Sequence, residues 1–134
     1  MDEHDWQAIY EFCSLQSLVA GEVLFSHDEP GEALYFIKAG RLAVHKFTGF
    51  QEKMQVVALL DKGSVVGESA LLGDHCRKTK VTVIEDAELQ RLSVQKYETL
   101  QNEQPERALR FLTYLLGITG LRLEKTSERL AQIL

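Results

Sequence analysis

The chain has 134 residues, 45% hydrophobic and 26% charged, which is the make-up of one globular domain with no length left for a second. Fifteen Lys and Arg against twenty Asp and Glu give a net charge of -5, the wrong sign for a protein whose main work is gripping nucleic acid phosphates. The longest apolar-rich stretch, Phe111 to Leu121, is far short of the roughly 20 residues that cross a bilayer; the start is acidic, and Cys13 and Cys76 stand alone, so a reduced cytoplasmic protein without a membrane span is expected.

In chain order, Trp6, Ile9, Tyr10 and Cys13 recur at i, i+3, i+4 and i+7 and predict a short amphipathic helix over 3–13. After Ser14 come short β-rich runs: Leu18-Val19, Val23 to Phe25, Leu34 to Ile37, Leu42 to Phe47, Met54 to Leu60, Val65-Val66, Val81 to Ile84 and Leu89 to Leu92. Gly21, Pro30-Gly31, Ala39-Gly40, Thr48-Gly49, Asp61-Lys62-Gly63, Gly73-Asp74 and Glu85-Asp86 read as the turns between them. The spacing predicts a mainly β fold of eight short strands with flanking helices, an antiparallel sandwich, barrel or jelly roll.

Ser93 reads as the N-cap of a short helix that points Tyr97 and Leu100 inward. Pro105 restarts the chain, and with Glu106 in the first turn the rest reads as one long helix. Leu109, Leu112, Leu116, Thr119, Leu123, Thr126, Leu130 and Ile133 form a heptad seam, while Phe111, Leu115 and Ile118 form a second apolar stripe. A helix of about 30 residues is roughly 45 Å long and overshoots a β domain of this size. The seam is therefore expected to pair with its copy in a homodimer. The organisation predicted is a strand-rich part with short helices over 1–104 and a dimerisation or lid helix of the same domain over 105–134.

Charge is uneven: 105–134 carries +2 and 1–104 carries -7, with Arg77, Lys78 and Lys80 as a cationic knot in the acidic part. Just before the knot stands Val66-Gly67-Glu68-Ser69-Ala70-Leu71-Leu72. Gly67 lets backbone approach a ligand, the amides of the Ser69 to Leu72 turn suit an anion, Arg77 suits phosphate oxygens and Glu68 suits ribose hydroxyls.

These residues resemble the cyclic nucleotide-binding domains of the catabolite activator protein, protein kinase regulatory subunits and cyclic-nucleotide-gated channels, a resemblance that implies an eight-stranded antiparallel β-roll with an N-terminal helix and a long C-terminal helix. Asp28-Glu29-Pro30-Gly31-Glu32, leading through Leu34 to Ile37 to Gly40, is similar to the family's early turn. Asp28 stands where a Gly is usual, which predicts a left-handed backbone position. Val66 to Leu71 with Arg77 is similar to the phosphate-binding cassette. The resemblance implies that Glu68 takes the ribose 2′-hydroxyl, that Gly67, Ser69 and Ala70 contribute cassette contacts, and that Arg77 neutralises the cyclic phosphate. Lys78 and Thr79 depart from it, standing where the family prefers small residues beside the phosphate, and Cys76 replaces a common Pro. Arg122 to Arg129 is similar to the dimer-helix stretch of the catabolite activator protein, which implies that Thr126 and Ser127 meet adenine; Lys78 after the cassette Arg tilts the reading toward cyclic AMP over cyclic GMP. The alternative for Thr126 and Ser127 is bonding to their own helix carbonyls.

Other readings stay open beside it. The fold can serve as a protein-interaction module without nucleotide, with Glu68 and Arg77 paired to each other. His75-Cys76, with His4, His27 and His45, shows no metal-ligand spacing, and two cysteines are too few for a four-thiolate cluster. No Ser-His-Asp order, Walker loop or His-Glu-x-x-His helix argues for an enzyme, and no cofactor is required. With the sequence stopping at Leu134, no direct DNA binding is expected, and a stand-alone sensor and the sensor fragment of a transcription regulator remain equivalent.

Overall fold

The computed structural model describes residues 1–47, 53–73 and 76–134. The turn at Thr48-Gly49, the second residue of Gly73-Asp74, and His75 lie outside the described residues.

Helix α1 spans Glu3–Glu11 and starts at a capping box: the Asp2 side chain accepts from the Asp5 amide at 2.8 Å while the Asp5 carboxylate accepts from the Asp2 amide at 3.3 Å. Among the described residues six strands follow: β1 (Ser14–Leu18), β2 (Val23–Phe25), β3 (Ala33–Phe47), β4 (Met54–Leu60), β5 (Val65–Val66) and β6 (Lys80–Ser93). All pairings are antiparallel, in the order β1-β6-β3-β4, with β2 added to β6 and β5 to β3.

The eight expected strands are therefore six. The runs at 34–37 and 42–47 are one strand, as are those at 81–84 and 89–92, because Ala39-Gly40 and Glu85-Asp86 are not chain reversals. They face each other across the β3–β6 ladder, where the register shifts between Ile37 and Leu42. Gly40 is obligatory at this bend: at φ +92° a Cβ would lie 2.3 Å from the Asp86 carbonyl oxygen.

The first five residues of β3, Ala33 to Ile37, are buried on both faces, and their alternation divides the core. Leu34 and Phe36 point into a cluster with Ile9, Tyr97, Leu100, Phe111 and Leu115 beneath the helices. Tyr35 and Ile37 point into the roll with Phe25, Leu42, Val81 and Leu89. Helix α2 (Val94–Glu103) starts at Ser93, whose hydroxyl accepts from the Lys96 amide at 3.1 Å. Helix α3 runs unbroken over Pro105–Ile133. Its Phe111–Leu115 stripe is buried, whereas Leu109, Leu112, Leu116, Leu123, Leu130 and Ile133 of the seam are exposed. From Leu123 to Leu134 every residue is exposed. No helix among the described residues is long and apolar enough to cross a membrane.

Asp5 ties α1 to α3. Its buried carboxylate accepts from Arg107 Nε at 2.9 Å and from Arg110 Nη2 at 2.8 Å and Nε at 3.1 Å. Those hydrogen bonds, from Arg110 first and then Arg107, hold its pKa well below the usual carboxylate range.

Candidate functional site

Val66 leaves the roll into Gly67, which takes φ +79° and opens a single 3-10 stretch, Glu68–Leu72. A Cβ on Gly67 would stand 2.9 Å from Arg77 Nη1 and 3.2 Å from the Ala33 carbonyl oxygen. Glycine is thus what lets the guanidinium lie against this backbone.

Arg77 is 3% exposed. Nη1 donates to the Gly67 carbonyl at 2.9 Å, Nη2 to the Ala33 carbonyl at 2.5 Å, and Cζ stands 4.0 Å from the centroid of the Phe25 ring. Its backbone is held as well: the Arg77 amide donates to the Glu29 carbonyl at 2.7 Å, and the Asp28 amide donates to the Arg77 carbonyl at 2.8 Å. Asp28 has φ +71°, the left-handed position expected for it. Burial lowers the Arg77 pKa, opposed by Tyr35 and by the carboxylates of Glu68, Glu29 and Glu32. The Nε–H group is buried with no acceptor among the described residues.

Glu68 does not pair with Arg77. Its Oε1 accepts from Arg122 Nη1 at 3.1 Å, and Arg122 Nη2 donates to the Val65 carbonyl at 2.6 Å, so a side chain from the middle of α3 straps across this end of the site. Both members are partly exposed, Glu68 at 24% and Arg122 at 37%.

Between the two arginines lies a cleft of about 330 Å³. Gly67, Glu68, Ser69, Arg77, Lys78 and Thr79 of the expected site all line it, joined by Phe25, Val44, Ala58, Leu60, Val66 and Arg122. Cationic groups at one end, an apolar side of Val44, Ala58 and Leu60, and a carboxylate at the other end suit a small ligand with an anionic group, a planar ring and hydroxyls. Ala70 is buried and lines a different groove with Pro30 and Gly31. Thr126 and Ser127 are exposed on α3, beyond Arg122, and do not line the cleft of their own chain. Cys13 and Cys76 are free; burial pushes the Cys13 thiol up to about 12. His45 bonds the Thr82 hydroxyl at 2.9 Å, and His27 meets the Asp28 carboxylate at 3.0 Å. No group of three His, Cys, Asp or Glu suited to a metal occurs among the described residues.

Of the residues that join the expected ones, Phe25 touches Arg77 and Arg122 touches Glu68, and sequence reasoning missed both as site residues. Phe25 was visible only as the end of a three-residue strand, and Arg122 only as one of several cations on a helix. Arg122 continues the Phe111, Leu115, Ile118 stripe at a spacing of four, and a cation on the face that packs on the roll is the signal that marks it.

The family model for "Cyclic nucleotide-binding domain" matches residues 15–104. The Cyclic AMP receptor protein of Thermus thermophilus is 31% identical over 86 residues, which are 63% of this chain and 39% of that protein. The chain spans less than two fifths of the length of the curated relatives it matches. Among solved structures, the N-terminal domain of a transcriptional regulator from Streptomyces coelicolor A3(2) is 25% identical with a TM-score of 0.76, over 94% of this chain and 86% of that one. A cyclic nucleotide-binding domain from Methylobacillus flagellatus KT shares the fold with a TM-score of 0.90 at 18% identity, over 96% of this chain and 72% of that one.

Proposed function

The chain belongs to the cyclic nucleotide-binding domain family, and from that premise we propose that it is a non-enzymatic sensor domain that takes cyclic AMP, ahead of cyclic GMP, in the Arg77–Glu68 cleft. The observation that carries this reading is the Arg77 guanidinium: it is fixed in the cleft wall by two backbone carbonyls and retains a buried Nε–H without an acceptor among the described residues. A cyclic phosphate supplies that acceptor and the opposite charge. Glu68 accepts the ribose 2′-hydroxyl, with Gly67 and Ser69 beside the sugar phosphate and Lys78 and Thr79 at the rim.

The exposed Leu109–Ile133 seam pairs with a second copy, and that pairing brings Thr126 and Ser127 to the purine. Their hydroxyls both donate and accept, which matches the exocyclic amine and ring nitrogen of adenine. Calorimetric titration with cyclic AMP and cyclic GMP, on the wild type and on Thr126→Ala, tests the whole assignment. A preference for cyclic AMP that Thr126→Ala reduces is expected; a preference for cyclic GMP, or an undiminished variant, removes the adenine-reading role. Sedimentation tests the dimer: Leu116→Asp is expected to yield a monomer.

A second reading, an interaction module without nucleotide, is favoured by one feature. Arg122 already occupies the Glu68 carboxylate and the Val65 carbonyl. A melting temperature unmoved by either cyclic nucleotide at millimolar concentration selects that reading.

A further inference from the structure

A second hollow, sharing no residue with the cleft, lies where α1, the first half of β3, the β4–β5 turn and α3 meet. It measures about 240 Å³, and its lining includes Trp6, Tyr10, Phe36, Tyr114, Lys38 and Lys62. The Trp6 ring is the hub: its centroid is 5.7 Å from that of Tyr10, 5.7 Å from Phe36 and 4.9 Å from Tyr114, with the last two pairs edge-on at 88° and 90°. Lys38 Nζ stands 4.4 Å from the Tyr10 ring centroid. Both lysines are exposed, and no carboxylate side chain among the described residues lines the hollow.

The local charge is therefore positive within the part of the chain that is acidic overall. Aromatic side chains offer a planar ring both faces and edges to pack against, and the indole N–H and phenol hydroxyls add donors. Two ammonium groups disfavour a cationic guest, which otherwise suits an aromatic cage. The volume falls below the usual range of roughly 300–1,000 Å³ for drug-sized ligands, so it fits one ring with a short acid arm and not a nucleotide.

We infer that this hollow binds a small aromatic monoanion, a single ring carrying a carboxylate, with the ring packed against the Trp6, Tyr10 and Tyr114 cluster and the carboxylate at Lys38 and Lys62. Because Tyr114 lies on the helix that also carries Arg122, the site is placed to bear on the cleft through α3.

Trp6 is the chain's only tryptophan, so its emission reports directly on the hollow. The full chain is titrated with phenylacetate, with phenylacetamide and phenethylamine as neutral and cationic controls. Phenylacetate is expected to change Trp6 emission saturably, and the two controls to act at least about fivefold more weakly. Lys62→Glu, a change at an exposed side chain that leaves the aromatic packing intact, is expected to weaken phenylacetate by about fivefold or more. Equal binding of phenylacetamide, an unchanged affinity in Lys62→Glu, or no saturation below about 10 mM overturns the inference.

Discussion

Arg77 and Arg122 both line the cleft, but different parts of the chain hold them. Arg77 is buried and fixed by backbone: its guanidinium donates to two carbonyls of the roll, and its own amide and carbonyl pair with the Asp28–Glu29 turn. Arg122 is partly exposed and sits on α3, beyond the last buried residue of that helix, Leu115. The Arg77 end is thus set by the fold of the sheet, whereas the Glu68 end depends on where α3 lies. A ligand meeting this cleft finds one end prepared and must compete for, or share, the other.

Breaking the prepared end has the largest expected effect. Arg77→Ala removes two charge-assisted hydrogen bonds and the charge that meets an anion, each such bond contributing about 1.5–3 kcal/mol. Calorimetry is expected to show at least about tenfold weaker cyclic nucleotide binding, and denaturant unfolding a loss of about 2 kcal/mol or more in a protein that still folds. Gly67→Ala acts on the same end from the backbone side. The left-handed φ costs a non-glycine residue about 1–2 kcal/mol, and the new Cβ, 2.9 Å from Nη1, pushes the guanidinium off its carbonyls. Affinity and stability are both expected to fall, each by less than in Arg77→Ala; a Gly67→Ala protein with unaltered affinity shows that the guanidinium position is not set by Gly67.

The contrast between the two ends also explains what was legible in the sequence. Gly67, Glu68 and Arg77 lie within eleven positions of one another, so their chemistry reads as one segment, and Asp28 announces its φ by standing at a glycine position. Arg122 meets Glu68 across 54 residues, through the packing of α3 on the roll; its place on the buried stripe tells which way it faces, but no local pattern tells what it meets there. The strand count failed for a related reason. Gly40 and Asp86 are turn formers by type, but here they face each other across a continuous ladder, where glycine serves close backbone approach instead of reversal. The seam of α3 was legible as apolar periodicity, and it lies exposed on the single chain.

Because α3 carries Arg122, its anchorage at the other end matters, and that anchorage is sensitive to acid. Hydrogen bonds from Arg110 and Arg107 hold the Asp5 carboxyl below the ordinary value of about 3.9 that it has in the unfolded chain. A lowered folded pKa means that the stabilisation is complete at neutral pH and is lost as pH falls below about 4 and toward the folded value. Asp5→Asn keeps an acceptor for the Asp2 amide and removes the charge. Chemical unfolding is expected to find the wild type more stable than Asp5→Asn at pH 7, with the gap narrowing below about pH 4; a gap independent of pH places the effect in packing instead of charge.

The smallest effect is expected at Arg122 itself, and it sharpens the comparison most. An ion pair as exposed as Arg122–Glu68 contributes less than about 1 kcal/mol. It is also open to screening: raising ionic strength from about 0.1 M to 1 M shortens the Debye length from about 10 Å to 3 Å. The Arg77 contacts are buried and run to neutral carbonyls, so salt leaves them largely intact. Salt screens only the Glu68 contact, whereas Arg122→Ala also removes the bond to the Val65 carbonyl, so the variant at low salt is expected to loosen α3 more than high salt loosens it in the wild type. In both, hydrogen exchange over 119–133 of α3 rises, while the amides of Asp28 and Arg77, which are bonded within the roll or buried beside it, keep their protection. If protection at Arg77 falls in step with that of α3, the two ends of the cleft are one cooperative unit, and the division drawn between them is wrong.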